Sequence, residues 1–172
     1  MRNELFQPTV AGEARLLLLI NAFSGATKAL EGRTKLAKLD FLLRYPSYLK
    51  RALEIRVPNR DLALPFEDDD TIETRMVRYR YGPWDPAYFA LLGRLIGRGL
   101  VEPVPVANGI GYRTTDQGRQ IASQLGRTEP WEPVFESATL LRRHFDLSGT
   151  NLKRFIYDHF PEVTQATWGE QL

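Results

Sequence analysis

Gly99-Leu100-Val101-Glu102-Pro103-Val104-Pro105-Val106-Ala107-Asn108-Gly109-Ile110-Gly111-Tyr112-Arg113-Thr114-Thr115 is the stretch on which the fold turns. Two short strand-like runs flank an Asn-Gly pair, the strongest short-range signal for a β-hairpin. Pro103 and Pro105 confine the first run to the edge of a sheet, because neither has an N–H to donate to a ladder. Gly99 stops whatever precedes the hairpin, and Thr115 is placed to cap a helix over 116–125 that Gly126 closes.

Working outward toward the N-terminus, Asp85 followed by Pro86 starts a helix over 87–98, with Tyr88, Leu91, Leu92, Leu95 and Ile96 on its apolar face. Residues 14–23 are apolar almost all round, which suits a helix buried at the centre of a fold. Thr34 is the expected N-cap of the next helix, with Leu36, Leu39 and Leu43 on its buried face and Lys35 and Lys38 off that face. Pro46 breaks it and begins a short continuation through Leu49 and Leu53. Residues 56–70 read as an acidic loop, and Thr71 as the cap of a helix to about Tyr79. Helix, glycine, hairpin and capped helix follow one another in the order of a winged helix.

Beyond Thr128-Glu129-Pro130 a second composition begins. Trp131, Val134 and Phe135 lead to Leu140, Leu141 and Phe145, and Ser148 caps a last helix carrying Leu152, Phe155, Ile156 and Phe160. The expected architecture is mainly α with a small β-hairpin wing: a winged helix-turn-helix domain over 1–127 and a C-terminal helical extension over 128–172.

Composition narrows the function. The 172 residues are 43% apolar, enough for an ordinary core, and contain no cysteine, which removes disulfides, thiolate metal sites and thiol nucleophiles. No apolar run approaches the roughly 20 residues of a membrane span, and Met1-Arg2-Asn3-Glu4 opens no signal peptide, so a soluble cytoplasmic protein is expected. Nine basic residues between Lys28 and Arg60 oppose three acids, whereas residues 61–73 hold six acids and no base.

No phosphate loop of the Gly-x-x-x-x-Gly-Lys-Ser/Thr kind occurs, and neither His144 nor His159 has the helically spaced partner of a metal or hydrolase motif. Asp68, Asp69 and Asp70 stand consecutively in a loop and do not preorganise a cation site. No catalytic residue, metal or cofactor is therefore expected. Arg94 and Arg98, one turn apart on the helix before the wing, are candidate contacts to DNA phosphates, together with Arg75, Arg78, Arg113, Lys35 and Lys38. That helix carries few base readers, and Ala90, Gly93 and Gly97 suit close approach by another backbone. Trp131, Phe135, Phe145, Phe155 and Phe160 are candidate anchors for a protein partner, with packing onto residues 16–23 and homodimerisation as the competing uses.

Several of these pieces resemble one family. Leu16-Leu17-Leu18-Leu19-Ile20, Thr34-Lys35-Leu36-Ala37-Lys38-Leu39-Asp40-Phe41-Leu42-Leu43, Tyr81-Gly82-Pro83-Trp84-Asp85-Pro86, Gly99-Leu100-Val101 and Tyr112-Arg113-Thr114-Thr115-Asp116-Gln117-Gly118 are similar to the winged-helix middle components of bacterial ABC-three-component conflict systems, including the small subunit of Lamassu-type antiphage systems. The tail from Leu147 to Tyr157 is similar too. The resemblance implies a non-enzymatic adaptor between a larger coiled-coil, SMC-like ABC ATPase and an effector, often a nuclease. Lys35-Leu36-Ala37-Lys38-Leu39 and Tyr81-Gly82-Pro83-Trp84 also resemble antitoxin domains of the SocA kind, which implies instead a stand-alone DNA-binding regulator or antitoxin.

Overall fold

A computed structural model describes residues 7–25, 27–65, 76–79, 82–166, 168–170 and 172. Its first helix, α1 (Val10–Phe23), starts where the Thr9 hydroxyl accepts the Gly12 N–H at 2.9 Å. Residues 16–20 are all but inaccessible to solvent, because α1 is packed by α2 (Arg33–Arg44), α4 (Tyr88–Gly97), α5 (Asp116–Leu125) and α6 (Glu132–Phe145). An all-round apolar helix thus sits at the centre of the fold, as its composition dictates.

Two antiparallel sheets accompany the helices. The larger has the order β1-β5-β4, with β1 (Leu30–Glu31) and β4 (Val101–Val106) on either side of β5 (Gly109–Thr114). β4 pairs with β5 from Val101↔Thr114 to Val106↔Gly109, and Leu30 stands opposite Tyr112. Both prolines of β4 accordingly lie on an edge strand. The reversal itself occupies Ala107 and Asn108, and Gly109 carries the positive φ of 131° as the first residue of β5. Gly111 leaves the room that β1 needs: a Cβ there would stand 3.0 Å from the Leu30 carbonyl oxygen and 2.9 Å from Val106.

The junction of α4, β4 and α5 is tied by its own backbone. Gly99, at φ 71°, ends α4, and the Leu100 N–H reaches back to the Leu95 carbonyl at 3.0 Å. The Thr115 hydroxyl donates to the Gly99 carbonyl at 2.6 Å and accepts the Gly118 N–H at 3.0 Å, capping α5. Gly118 is pressed so closely on residue 100 that a Cβ would fall 1.9 Å from its carbonyl oxygen.

Three expectations need correction. Residues 77–79 form a strand, β2 (Val77–Tyr79), paired with β3 (Gly82–Trp84) in a second small sheet, where a helix had been read; residues 71–75 of that helix lie outside the described residues. Helix α2 begins at Arg33 behind Gly32, whose φ of 85° sets the chain direction, and Thr34 lies within the helix without capping it. The tail is three helices, α6, α7 (Gly149–His159) and α8 (Pro161–Gln165), and Leu141, Phe145, Leu152, Ile156, Phe160 and Val163 join the same buried core as residues 16–20. Among the expected elements that do form, α3 (Pro46–Arg56) starts on Pro46, and Ser148 caps α7 by accepting the Asn151 N–H at 3.2 Å. Among the described residues no helix is long and apolar enough to cross a membrane.

Candidate functional site: the outer face of α4

α4 is held from beneath by a buried ionic cluster. The Tyr88 hydroxyl, at the start of the helix, donates to Asp40 Oδ2 at 2.7 Å. Asp40, on α2, also accepts Arg15 Nε from α1 at 2.8 Å, and Arg44 lies 3.5 Å away. Arg44 in turn reaches Asp85 Oδ2 at 2.7 Å, while Asp85 Oδ1 accepts the Ala87 N–H at 2.8 Å and so shapes the turn into α4. Burial raises the Asp40 carboxyl's affinity for a proton. The guanidinium groups of Arg15 and Arg44, with hydrogen bonds from Arg15 and Tyr88, more than offset this and hold its pKa below the ordinary 3.8. Burial and the neighbouring Asp40 push the Tyr88 phenol well above its usual range. Asp40 is thus held ionised and Tyr88 neutral at neutral pH, and the cluster ties three helices and the α4 entry turn together.

The outward side of α4 has a different chemistry. Phe89, 60% exposed, is flanked by the Arg33 guanidinium 4.3 Å from its ring centroid and by Trp84 at 6.2 Å. Ile96 follows at 36% exposure, and a Cβ at Gly93 or Gly97 would meet nothing within 4 Å. Residues 89, 93, 96 and 97 fall on one stripe of the helix, and that stripe is apolar and thinly clothed.

The expected phosphate contacts do not assemble on this face. Arg98 Nε bonds Glu13 Oε1 at 2.9 Å, and Arg94 lies 3.8 Å from the other oxygen of that buried carboxylate and donates to the Pro8 carbonyl. Both guanidiniums lean back over α1. Arg113, on the wing, pairs with Glu102 on the neighbouring strand. Lys35 and Lys38 are buried, contrary to a surface role: Lys35 reaches Asp146 at 3.5 Å, and Lys38 is enclosed between α2 and α7. Tertiary cover overrides the position of these two lysines off the leucine face of α2. Arg78 sits on β2 opposite Pro83 and Arg75 lies outside the described residues, as does the side chain of Arg78.

The candidate protein anchors are mostly spent on the chain's own packing. Phe145 and Phe160 are fully buried, and Phe155 joins them at ring-centroid distances of 5.2 and 6.1 Å. Trp131 is half-buried, and Phe135, 36% exposed, covers Gly126. Among the described residues no group of three or more histidines and carboxylates is placed to hold a metal ion. The His144 imidazole has its pKa lowered by burial and then by Arg143, Arg60 and Arg56.

The ionic cluster was not anticipated from sequence. Its signal was Arg15 directly before the apolar run 16–20, since a charge on a fully buried face requires a partner, together with the Asp40-Arg44 pair one turn apart. Comparison of the chain with family models, with curated proteins and with solved structures gives no match.

Proposed function

We propose that the chain is a non-catalytic winged-helix adaptor that docks through the outer face of α4 on a larger protein. The winged-helix reading is supported by the element order α1-β1-α2-α3-β2-β3-α4-β4-β5, in which the small β2-β3 hairpin is inserted before α4, and by the sheet order β1-β5-β4, in which the strand after the first helix pairs with the returning strand of the wing. The observation that carries the adaptor reading is the stripe Phe89, Gly93, Ile96 and Gly97. It occupies the helix that in DNA-reading relatives of this fold enters the major groove, where polar side chains are needed to read base edges. Here Arg94 and Arg98 are drawn back to Glu13, and what remains is an aromatic anchor beside two bare backbone turns. Such a surface suits a close-packed protein contact.

The partner proposed from the family resemblance is a coiled-coil, SMC-like ABC ATPase in a bacterial antiphage system, with an effector such as a nuclease joined through the same complex. Coexpression with an ATPase encoded beside it is the test. A stable complex with the native chain, lost with Phe89→Glu and with Gly93→Leu, supports the reading. A complex that survives both variants overturns the assignment to α4, and an ATPase that neither binds the chain nor depends on it overturns the adaptor role.

The alternative is a DNA-binding regulator or antitoxin, favoured by Arg94 and Arg98, whose side chains stay about half exposed while they pair with Glu13. Titration of random duplex against the chain's own upstream region separates the two. Sequence preference favours the regulator, and equal, steeply salt-dependent affinity favours backbone contact alone.

A further inference from the structure

A second concave site lies where the beginnings of α2 and α7 face each other beside the wing. Its cavity, about 370 Å³, is lined by Gly32, Thr34 and Lys38 from α2 and by Gly149, Thr150 and Lys153 from α7. Gly32 offers no side chain to cap α2, so the amides of residues 33–35 meet no acceptor among the described residues. Ser148 satisfies one amide of α7, that of Asn151, and leaves those of Gly149 and Thr150. Neither helix has an acidic residue in its first turn. Two positive dipole ends are therefore aimed at one space without a compensating charge of their own.

The lysines sharpen this. Lys38 is only 3% exposed, yet its ammonium has a single partner among the described residues, the Thr34 carbonyl at 3.3 Å, and no carboxylate forms an ion pair with it. Lys153 likewise has no acidic partner there and lies 5.3 Å from the Tyr157 ring. Burial first, and then repulsion from Lys153, lowers the Lys38 pKa from its ordinary 10.5 to about 8. The one acidic lining residue is Glu31, which is exposed. A buried ammonium without a counter-ion is costly by itself and becomes favourable when an anion enters.

We infer that this cavity binds a phosphate monoester, its dianionic phosphate held between the amides of α2 and α7 and the ammonium groups of Lys38 and Lys153. A tetrahedral dianion has enough acceptor oxygens to meet donors from two helices and two lysines at once, which a planar monoanionic carboxylate lacks. The adjoining cleft, about 530 Å³, shares Glu31, Val106 and Ser148 with this cavity and gives room for the body of the ester. None of these residues belongs to the α4 stripe, so the inference stands or falls separately from the adaptor role.

The test is calorimetric titration of the full chain with inorganic phosphate and with glycerol phosphate, followed by amide resonances. The expected result is saturable binding that shifts the Gly149 and Thr150 amides, weakens as pH rises above 8, and falls at least about tenfold in Lys38→Met and in Lys153→Met. Tighter binding of the ester places its body in the adjoining cleft, and equal affinities identify free phosphate as the ligand. Lys153 is exposed, so Lys153→Met carries the test should Lys38→Met fold poorly. Absence of saturation by both probes up to about 10 mM, or affinity unchanged in the variants, overturns the inference.

Discussion

The Tyr88 hydroxyl and the Asp40 carboxylate meet at 2.7 Å with both side chains fully buried, joining the first turn of α4 to the middle of α2. Removing the hydroxyl in Tyr88→Phe leaves a buried carboxylate short of one donor, and a loss of about 2 kcal/mol in urea unfolding is expected. Asp40→Ala is harsher, because it takes from the buried Arg15 the carboxylate it binds at 2.8 Å and leaves Arg44 with Asp85 but without Asp40; about 4 kcal/mol is expected.

The same carboxylate sets an acid limit. Its folded pKa lies below the ordinary 3.8, so its stabilising contribution is present above that value and is lost as pH falls through the folded pKa. Acid unfolding followed by circular dichroism should show Asp40→Asn lacking this part of the native chain's decline below pH 3.8.

Lys38 produces the opposite profile. Its folded pKa of about 8 lies under the ordinary 10.5, so the unfolded chain holds more protons between those values and stability rises with pH across that window. Neutral Met at this position should stabilise the unliganded protein by about 2 kcal/mol at pH 7 and flatten the rise. Melting temperatures of the two proteins, measured from pH 7 to pH 10.5, check both statements; a native profile parallel to that of Lys38→Met counts against them.

Gly93 and Gly118 should respond to the same substitution with opposite signs. At Gly93 an added methyl meets nothing and removes the entropic cost of glycine within a helix, so Gly93→Ala is expected to gain about 0.8 kcal/mol. At Gly118 the methyl would collide with the Leu100 carbonyl, which is backbone and cannot swing aside, and Gly118→Ala should lose about 3 kcal/mol. Paired denaturant titrations measure both.

How much of this was legible in the sequence depended on the range of the interactions involved. The β4-β5 hairpin, the caps at Thr115 and Ser148, and the stop at Gly99 follow from neighbours a few residues apart, and they formed where the residues placed them. The turn differs in detail, since Gly109 took the positive φ after a reversal over Ala107 and Asn108. Strand β2 escaped because Ile72 and Met76, at helical spacing, outweighed the β-favouring Val77 and Tyr79, and nothing local announces the partner strand over 82–84. The ion pairs that engage the candidate phosphate contacts were hidden by distance in sequence: Glu13 and Arg98 are 85 residues apart, and Lys35 and Asp146 are 111 apart. Aromatic content in the tail left a partner surface and packing onto residues 16–23 both open, and Phe145 and Phe160 turned inward to the chain's own core.

Pro103 and Pro105 lie two positions apart in β4, so their missing donors fall on one side of the strand, while continuous pairing with β5 occupies the other. The free margin of the wing therefore offers carbonyls without the alternating N–H groups that a further strand requires. Neither a second copy of the chain nor an extended peptide can prolong the sheet at its β4 edge by regular backbone pairing, and a protein that engages this edge must do so largely through side chains, which makes recognition there a matter of sequence and leaves the β4 edge a poor template for aggregation.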